Sequence, residues 1–193
     1  MSSELRVDKI IPTDGVSAGS GNSPGTSFVG GGGVIQVQMG ASENSQYISD
    51  NNSWRTTGLN VNITPKFATS KILITVAQLL RTHCTNSSVD SAGAGIRLLR
   101  GNTVIVNARD HGATDGSGSY GSRDFQVNAE LGAANLGLVL TKSIIFLDSP
   151  NSTSAVTYKT QGRIMNTNMN LKMNPTDTVN NQPSIMILQE VSG

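Results

Sequence analysis

Short segments in which apolar and polar residues alternate follow one another along most of this chain. Residues 34–39 read Val-Ile-Gln-Val-Gln-Met, and residues 59–63 read Leu-Asn-Val-Asn-Ile. Side chains two positions apart lie on the same face of a β-strand, so this period of two predicts strands with one apolar face in a core. The 3.6-residue apolar spacing of an amphipathic helix is not convincing anywhere, so no helix is predicted.

The same pattern predicts about ten strands separated by turn residues. Gly101 and Asn102 tolerate positive φ angles and predict a tight hairpin between two of them. Segments 70–79 and 138–147 are apolar on both faces, which is typical of strands that are covered on both sides. Together the segments predict an all-β fold, a jelly-roll-like antiparallel β-sandwich. The predicted strands are 34–39, 59–63, 70–79, 96–99, 103–108, 124–131, 138–147, 155–165, 169–173 and 185–191.

The N-terminal part of the chain has a different pattern. Leu5 and Val7 alternate with charged residues, Ile10 and Ile11 follow, and a Pro-Thr-Asp-Gly turn ends the segment. Residues 15–33 contain eight glycines and behave as a flexible linker on composition. We therefore predict an extended anchoring arm at 1–14, a Gly/Ser-rich hinge at 15–33 and a β-sandwich domain at 34–193.

Composition narrows the function classes. Gly, Ser, Thr and Asn make up 80 of the 193 residues, whereas 14 basic and 13 acidic residues leave a net charge of +1. A coiled coil needs abundant Ala, Glu, Lys, Leu and Arg at a spacing of about 3.5–3.6 residues, so this composition argues against one. The chain also has no basic cluster, so nucleic acid is not expected as its main partner. No apolar run is long enough for a membrane span, and Cys84 alone cannot form an intrachain disulfide. We expect a soluble protein made in a cytoplasm.

Candidate catalytic and metal-binding groups do not form a recognisable site. His83 and Cys84, or Asp110 and His111, offer too few ligands at zinc spacing. Residues 116–121 contain Gly and Ser but not the nucleophile elbow of a serine hydrolase. No pair among the acidic residues is singled out for glycoside cleavage. The sequence therefore predicts no enzyme activity, no metal and no cofactor.

Two aromatic residues, Trp54 and Tyr120, stand among polar loop residues. Such side chains stack on sugar rings or anchor interfaces, and equally they cap the end of a sandwich; the sequence leaves both readings open. Asp110 and His111 lie in the long loop that also contains Tyr120. These four residues are our candidates for contacts on a distal surface, with a host glycan as candidate ligand.

The order and the amino-acid sequences of these segments are similar to those of one known group of proteins. The arm at 3–10, the glycine-rich hinge and the Gly-Val-Ile-Gln-Val start of the body have counterparts there, as do several strands and turns. On these residues the chain resembles virion structural proteins of tailed bacteriophages, especially marine and cyanobacterial phages. The matching body segments are 33–37, 59–65, 69–74, 99–103, 147–150, 157–159 and 187–191.

The resemblance implies a trimeric β-sandwich head that its N-terminal arm tethers to a larger particle in the virion. In that arrangement Leu5, Val7, Ile10 and Ile11 contact another virion protein of the tail, an adaptor or the capsid. The chain is short and has no shaft repeat, which favours a small tail- or fibre-type appendage over a long fibre. A capsid decoration or head-fibre protein is the alternative, and a polysaccharide depolymerase is a weaker one.

Overall fold

A computed structural model describes residues 33–49, 53–84, 92–107, 125–127, 137–164, 169–175 and 183–192. These ranges contain eleven strands and no helix, which confirms the predicted all-β class. Each predicted segment overlaps a strand, and only the three-residue β2 was not predicted. The arm and residues 15–32 of the hinge lie outside the described residues; Gly33 is described, and β1 begins at Val34. The strands are β1 Val34–Ser42, β2 Gln46–Ile48, β3 Arg55–Ile63, β4 Lys71–Cys84, β5 Ala92–Arg100, β6 Thr103–Val106, β7 Phe125–Val127, β8 Gly137–Asp148, β9 Val156–Ile164, β10 Met169–Met173 and β11 Ser184–Val191.

The first sheet has six strands and is built around β4, the longest strand with 14 residues. One edge of β4 pairs with β11 along 71–77 and with β10 along 80–84, and the other edge pairs with β8 along 72–83. Strand β1 lies beyond β11, and β2 lies beyond β10. All of these pairings are antiparallel. Strand β8 is therefore at the edge of this sheet among the described residues.

The second sheet has five strands in the order β3-β9-β5-β6, with β7 also paired to β5. The predicted hairpin is present, because Arg100 pairs with Thr103 across the two-residue turn. Gly101 adopts φ +58° in that turn, a backbone conformation that glycine reaches without strain. Its amide also donates to the Thr157 carbonyl at 2.7 Å, which joins the hairpin to the neighbouring strand β9.

One apolar core lies between the inner faces of the two sheets. Burial alternates along the strands, so that every second side chain of β9 and β11 is buried. Strands β1 and β11 pack on β3, and β10 packs on β9, which gives a sandwich-like arrangement. Burial of this apolar surface is the main favourable term for the fold. Core residues from the first sheet include Ile72, Ile74, Leu80, Leu171 and Leu188, and those from the second include Leu59, Ile63, Ile96, Leu98 and Tyr158.

Candidate interaction surfaces

The outer face of the first sheet is apolar over four adjacent strands. The registers of β1, β11, β4 and β8 align their outward side chains in three rows. We call these twelve positions the apolar face: nine are apolar, three are polar but uncharged, and none is charged. The rows are Val37–Gln189–Leu73–Leu147, Met39–Ile187–Thr75–Ile145 and Ala41–Ile185–Ala77–Ser143.

Large side chains on the apolar face are exposed to an unusual degree. Ile145 is 73% exposed and Met39 is 68% exposed, and both stand in the middle row. Val37 and Leu147, at opposite ends of another row, are each about half exposed. Single exposed apolar residues are ordinary on protein surfaces, but a contiguous uncharged patch is typical of an interaction site.

The position of Val37 and Met39 corrects the prediction for the first strand. The alternation at 34–39 indicated that these residues face the core, yet they point outward, while Gln36 points toward the interior. The register between β1 and β11 shifts between Val34 and Gln36. Gln36 turns inward to donate to Glu190, and the alternation of the strand then places Val37 and Met39 on the outer face.

The outer face of the second sheet is polar, as expected for a solvated antiparallel sheet. Strand β9 presents Lys159, Gln161 and Arg163 between its buried residues. Asn60 pairs with Lys159 from the neighbouring strand, and Arg97 pairs with Gln161. The two outer faces of the protein therefore differ in kind: one is apolar and uncharged, and the other is polar and basic.

Trp54, a predicted surface contact, lies at this polar face and is half-buried. The guanidinium carbon of Arg97 stands 4.5 Å from the centroid of the Trp54 ring. Arg97 also donates through Nε and Nη2 to the Gln161 side-chain oxygen, at 2.8 and 2.6 Å. Partial burial and the nearby Arg163 lower the pKa of Arg97. One face of the ring is therefore occupied by a cation–π contact within the chain.

The other predicted site residues are not described by the structure. Tyr120, Asp110 and His111 lie outside the described residues, as do the arm residues Leu5, Val7, Ile10 and Ile11.

A network of buried polar side chains connects the two sheets. Gln78 donates to Asn174 at 3.2 Å and to Ser184 at 2.7 Å, and its own oxygen accepts from Thr160 at 2.9 Å. Thr57 and Thr160 share a hydroxyl–hydroxyl bond across the second sheet. All five side chains are at most 1% exposed. Amide and hydroxyl groups do not gain or lose a proton near neutral pH, so they are not acid–base catalysts. The network instead fixes the two sheets relative to each other.

Glu190 lies on β11, and its fully buried carboxylate faces β1 and the turn after β3. It accepts from Gln36 Nε2 at 2.5 Å, from the Lys66 amide at 2.7 Å and from the Phe67 amide at 3.4 Å. Burial by itself would raise the pKa of Glu190, but these hydrogen bonds outweigh burial and lower the pKa below its ordinary value. The carboxylate is therefore ionised and clamps three segments together.

Asp148 forms a second buried cluster at the end of β8. It accepts from the Tyr158 hydroxyl at 2.6 Å and from Arg100 Nη1 at 3.0 and 3.1 Å. Burial, with the carboxylate beside it, raises the pKa of Tyr158 well above its ordinary value. Arg100 also donates to the Ser149 carbonyl at 3.0 Å, so the cluster joins β5, β8 and β9. Both buried carboxylates thus serve structural hydrogen bonds.

Sequence reasoning did not identify the apolar face, although part of its signal was present. Segments 70–79 and 138–147 were apolar on both faces, and they form adjacent strands, β4 and β8. Their outward residues supply half of the apolar face. The contributions of β1 and β11 depend on strand order and register, which a single sequence does not reveal.

Comparison with known proteins does not assign the chain to a family. No protein-family model matches the chain, and no curated protein matches it in sequence.

In the described part of the chain, three or more His, Cys, Asp or Glu side chains never come together as metal ligands. A search of the same residues finds no helix with the length and apolar character needed to span a membrane.

Proposed function

We propose that this chain is a structural protein of a tailed-phage virion, a trimeric tail- or fibre-type appendage. Its body is a jelly-roll-like β-sandwich, and its N-terminal arm binds another virion protein. The observation that carries the proposal is the contrast between the two outer faces. A polar face suits contact with solvent, whereas the apolar face on the opposite side of the sandwich marks an interaction site. A protein that works as part of an assembly has such a surface.

The layout of the chain supports the same role. Alternating residues at 4–11 precede a glycine-rich segment that ends where β1 begins. An extended arm adds to a partner's sheet edge through backbone hydrogen bonds, and a hinge lets the body orient independently of that anchor. The resemblance of the arm, hinge and body to phage virion proteins supports the same arrangement.

The groups inside the sandwich suit a rigid body better than a catalyst. Both buried carboxylates, Glu190 and Asp148, are saturated by donors from neighbouring strands. Such fully satisfied buried networks fix one arrangement of a core. A host-contacting role would use loops at one end of the sandwich, and three copies would raise a weak glycan contact to useful avidity.

Truncation of residues 1–33 tests the proposal. The full chain and the truncated chain are each supplied to a host infected with the phage that encodes the protein, with the native copy deleted. We expect both chains to fold and to form trimers, but only the full chain to enter particles. Incorporation of the truncated chain at the same level would contradict the anchoring role, and unfolding of the body would show that residues 1–33 belong to the core.

The position of the chain in the particle separates the alternatives. Antibody label on the tail supports the appendage, and label on the capsid supports a decoration or head-fibre protein of the same architecture. Release of soluble glycan from host envelopes by the purified protein would instead indicate a depolymerase.

A further inference from the structure

We infer that the apolar face is the surface through which copies of this chain meet, with the edge of β8 that faces away from β4 in one copy lying against the apolar face of the next. The inference rests on the proposed trimer and names the surface that builds it. Three observations support it: the exposure of the face, its lack of charge and the residues at its two ends.

The charges of the molecule restrict what can cover the apolar face. A partner with ionised groups would lose their hydration against twelve uncharged positions, so the partner must be uncharged where it makes contact. The polar face of the second sheet does not meet this condition, because it presents Arg97, Lys159 and Arg163. The apolar face of another copy meets it, and so does the outward side of its β8, where every second residue from 139 to 147 is uncharged. Lys142 lies on the inner side of β8.

The apolar face supplies about half of the area that one partner contributes to a stable pairwise interface. Four strands spaced about 4.8 Å apart, and three rows about 6.8 Å apart, cover roughly 400 Å² in projection. A stable pairwise interface needs about 800 Å² from each partner. The apolar face therefore needs a continuation. Along β4 and β8 the outward side continues through Leu79 and Thr141, and then reaches the half-exposed Val139, which pairs with Arg81.

Strand β8 provides the complementary surface. It has 12 residues, and among the described residues only its edge facing β4 is paired. Long unpaired apolar edges promote association and are normally covered. On the inner side of this edge, Leu140 and Phe146 are only half-buried against the core. The edge of β8 thus offers backbone groups, uncharged side chains on its outer face, and Leu140 and Phe146 on its inner face, where Lys142 lies between them.

The basic residues at the ends of the apolar face favour a cyclic arrangement. Lys71 stands beyond one end of the rows, and Arg81 and Lys172 stand beyond the other. Stacking two apolar faces in register about a twofold axis would bring basic residues together at both ends, whichever way the axis ran. Contact between the edge of one copy and the face of the next is heterologous and avoids this repulsion. With a rotation of about 120° between copies it closes into the proposed trimer.

Two charge substitutions test the inference. Ile145→Lys and Met39→Lys place a charge in the middle row without touching the core, and Asn60→Lys places the same charge on the polar face as the matched control. Analytical ultracentrifugation over a concentration series measures the concentration of half-dissociation. We expect the wild type and Asn60→Lys to be trimers, and each of the other two variants to dissociate at a concentration at least tenfold higher. Circular dichroism checks that all four chains are folded.

The outcomes separate the inference from the proposed function. A wild-type trimer whose half-dissociation is unchanged by both substitutions overturns the inference and leaves the trimer intact. A wild type that is monomeric at every concentration contradicts the trimer and the inference together. A photo-crosslinking amino acid at position 145 of the otherwise native chain gives a second measurement. Crosslinks to peptides of a second copy from β1, β11 or β8 support the inference. Crosslinks within one chain to residues 1–14 would show that the arm covers the face and would overturn it.

Discussion

Replacing Glu190 with glutamine tests the buried clamp that joins β1, β11 and the turn at 64–67. Glutamine has the same shape but no charge, so the Lys66 amide loses a charge-assisted bond. The new amide group of residue 190 then faces the donating amide of Gln36, which also donates to the Thr64 carbonyl at 2.7 Å. If Gln36 flips its amide to accept from residue 190, it gives up the bond to Thr64.

The expected loss follows from these contacts. A hydrogen bond to a charged group contributes about 1.5–3 kcal/mol, and leaving a buried donor unsatisfied costs about 1–3 kcal/mol. Because glutamine keeps one accepting oxygen, we expect the free energy of unfolding at pH 7 to fall by about 2 kcal/mol. Urea denaturation at fixed protein concentration measures this loss. Glu43→Gln, at an exposed position, is the matched control and should change the free energy by less than about 0.5 kcal/mol.

The pH dependence gives the same variant a sharper test. The pKa of Glu190 is lower in the folded protein than its ordinary value of 4.5, so its contribution is fully present above that pH. As the pH falls through the folded pKa, the carboxylate becomes protonated and the contribution is lost. The difference between wild type and Glu190→Gln should therefore shrink below pH 4.5. An equal difference at pH 7 and in strong acid, or a loss no larger than in the control, would refute the clamp.

Three further substitutions test the core and the polar face. Gly162→Ala places a methyl group against Met173 in the core. This overpacking should lower the urea midpoint by an amount equivalent to about 1–3 kcal/mol. An unchanged midpoint would show that Met173 moves aside freely. Tyr158→Phe removes the hydroxyl that donates to Asp148, and chemical denaturation should show a loss of about 1–2 kcal/mol, whereas equal stability would mean that water replaces the hydroxyl. Trp54→Ala removes the cation–π contact with Arg97 on the polar face, which contributes about 0.5–1 kcal/mol, so the thermal midpoint should fall slightly. A large fall would indicate that the ring belongs to the core.

Much of the fold could be predicted because its strands carry local signals. The alternation at 59–63 and 169–173, the hairpin residues Gly101 and Asn102, and the two-sided apolar segments all correspond to observed features. These signals depend on neighbouring residues alone. Strand β2 has three residues, too few to show a period, and was not predicted for that reason.

The direction of β1 could not be predicted, because its cause lies far along the chain. Gln36 turns inward to donate to Glu190, which is 154 positions away. Once Gln36 faces the interior, Val37 and Met39 face outward, so the apolar residues that indicated a core strand instead form part of the apolar face. Asp148 is similar: the sequence placed it at a strand edge, but its partners Arg100 and Tyr158 come from two other strands.

The central claim is that the chain is a component of an assembled phage particle. The most direct measurement is quantitative mass spectrometry of phage particles from an infected culture, purified by density gradient, with the major capsid protein as the internal standard. We expect the chain to sediment with the particles and to be present in a multiple of three copies per particle. Recovery of the chain only in the particle-free fraction would contradict a structural role in the virion.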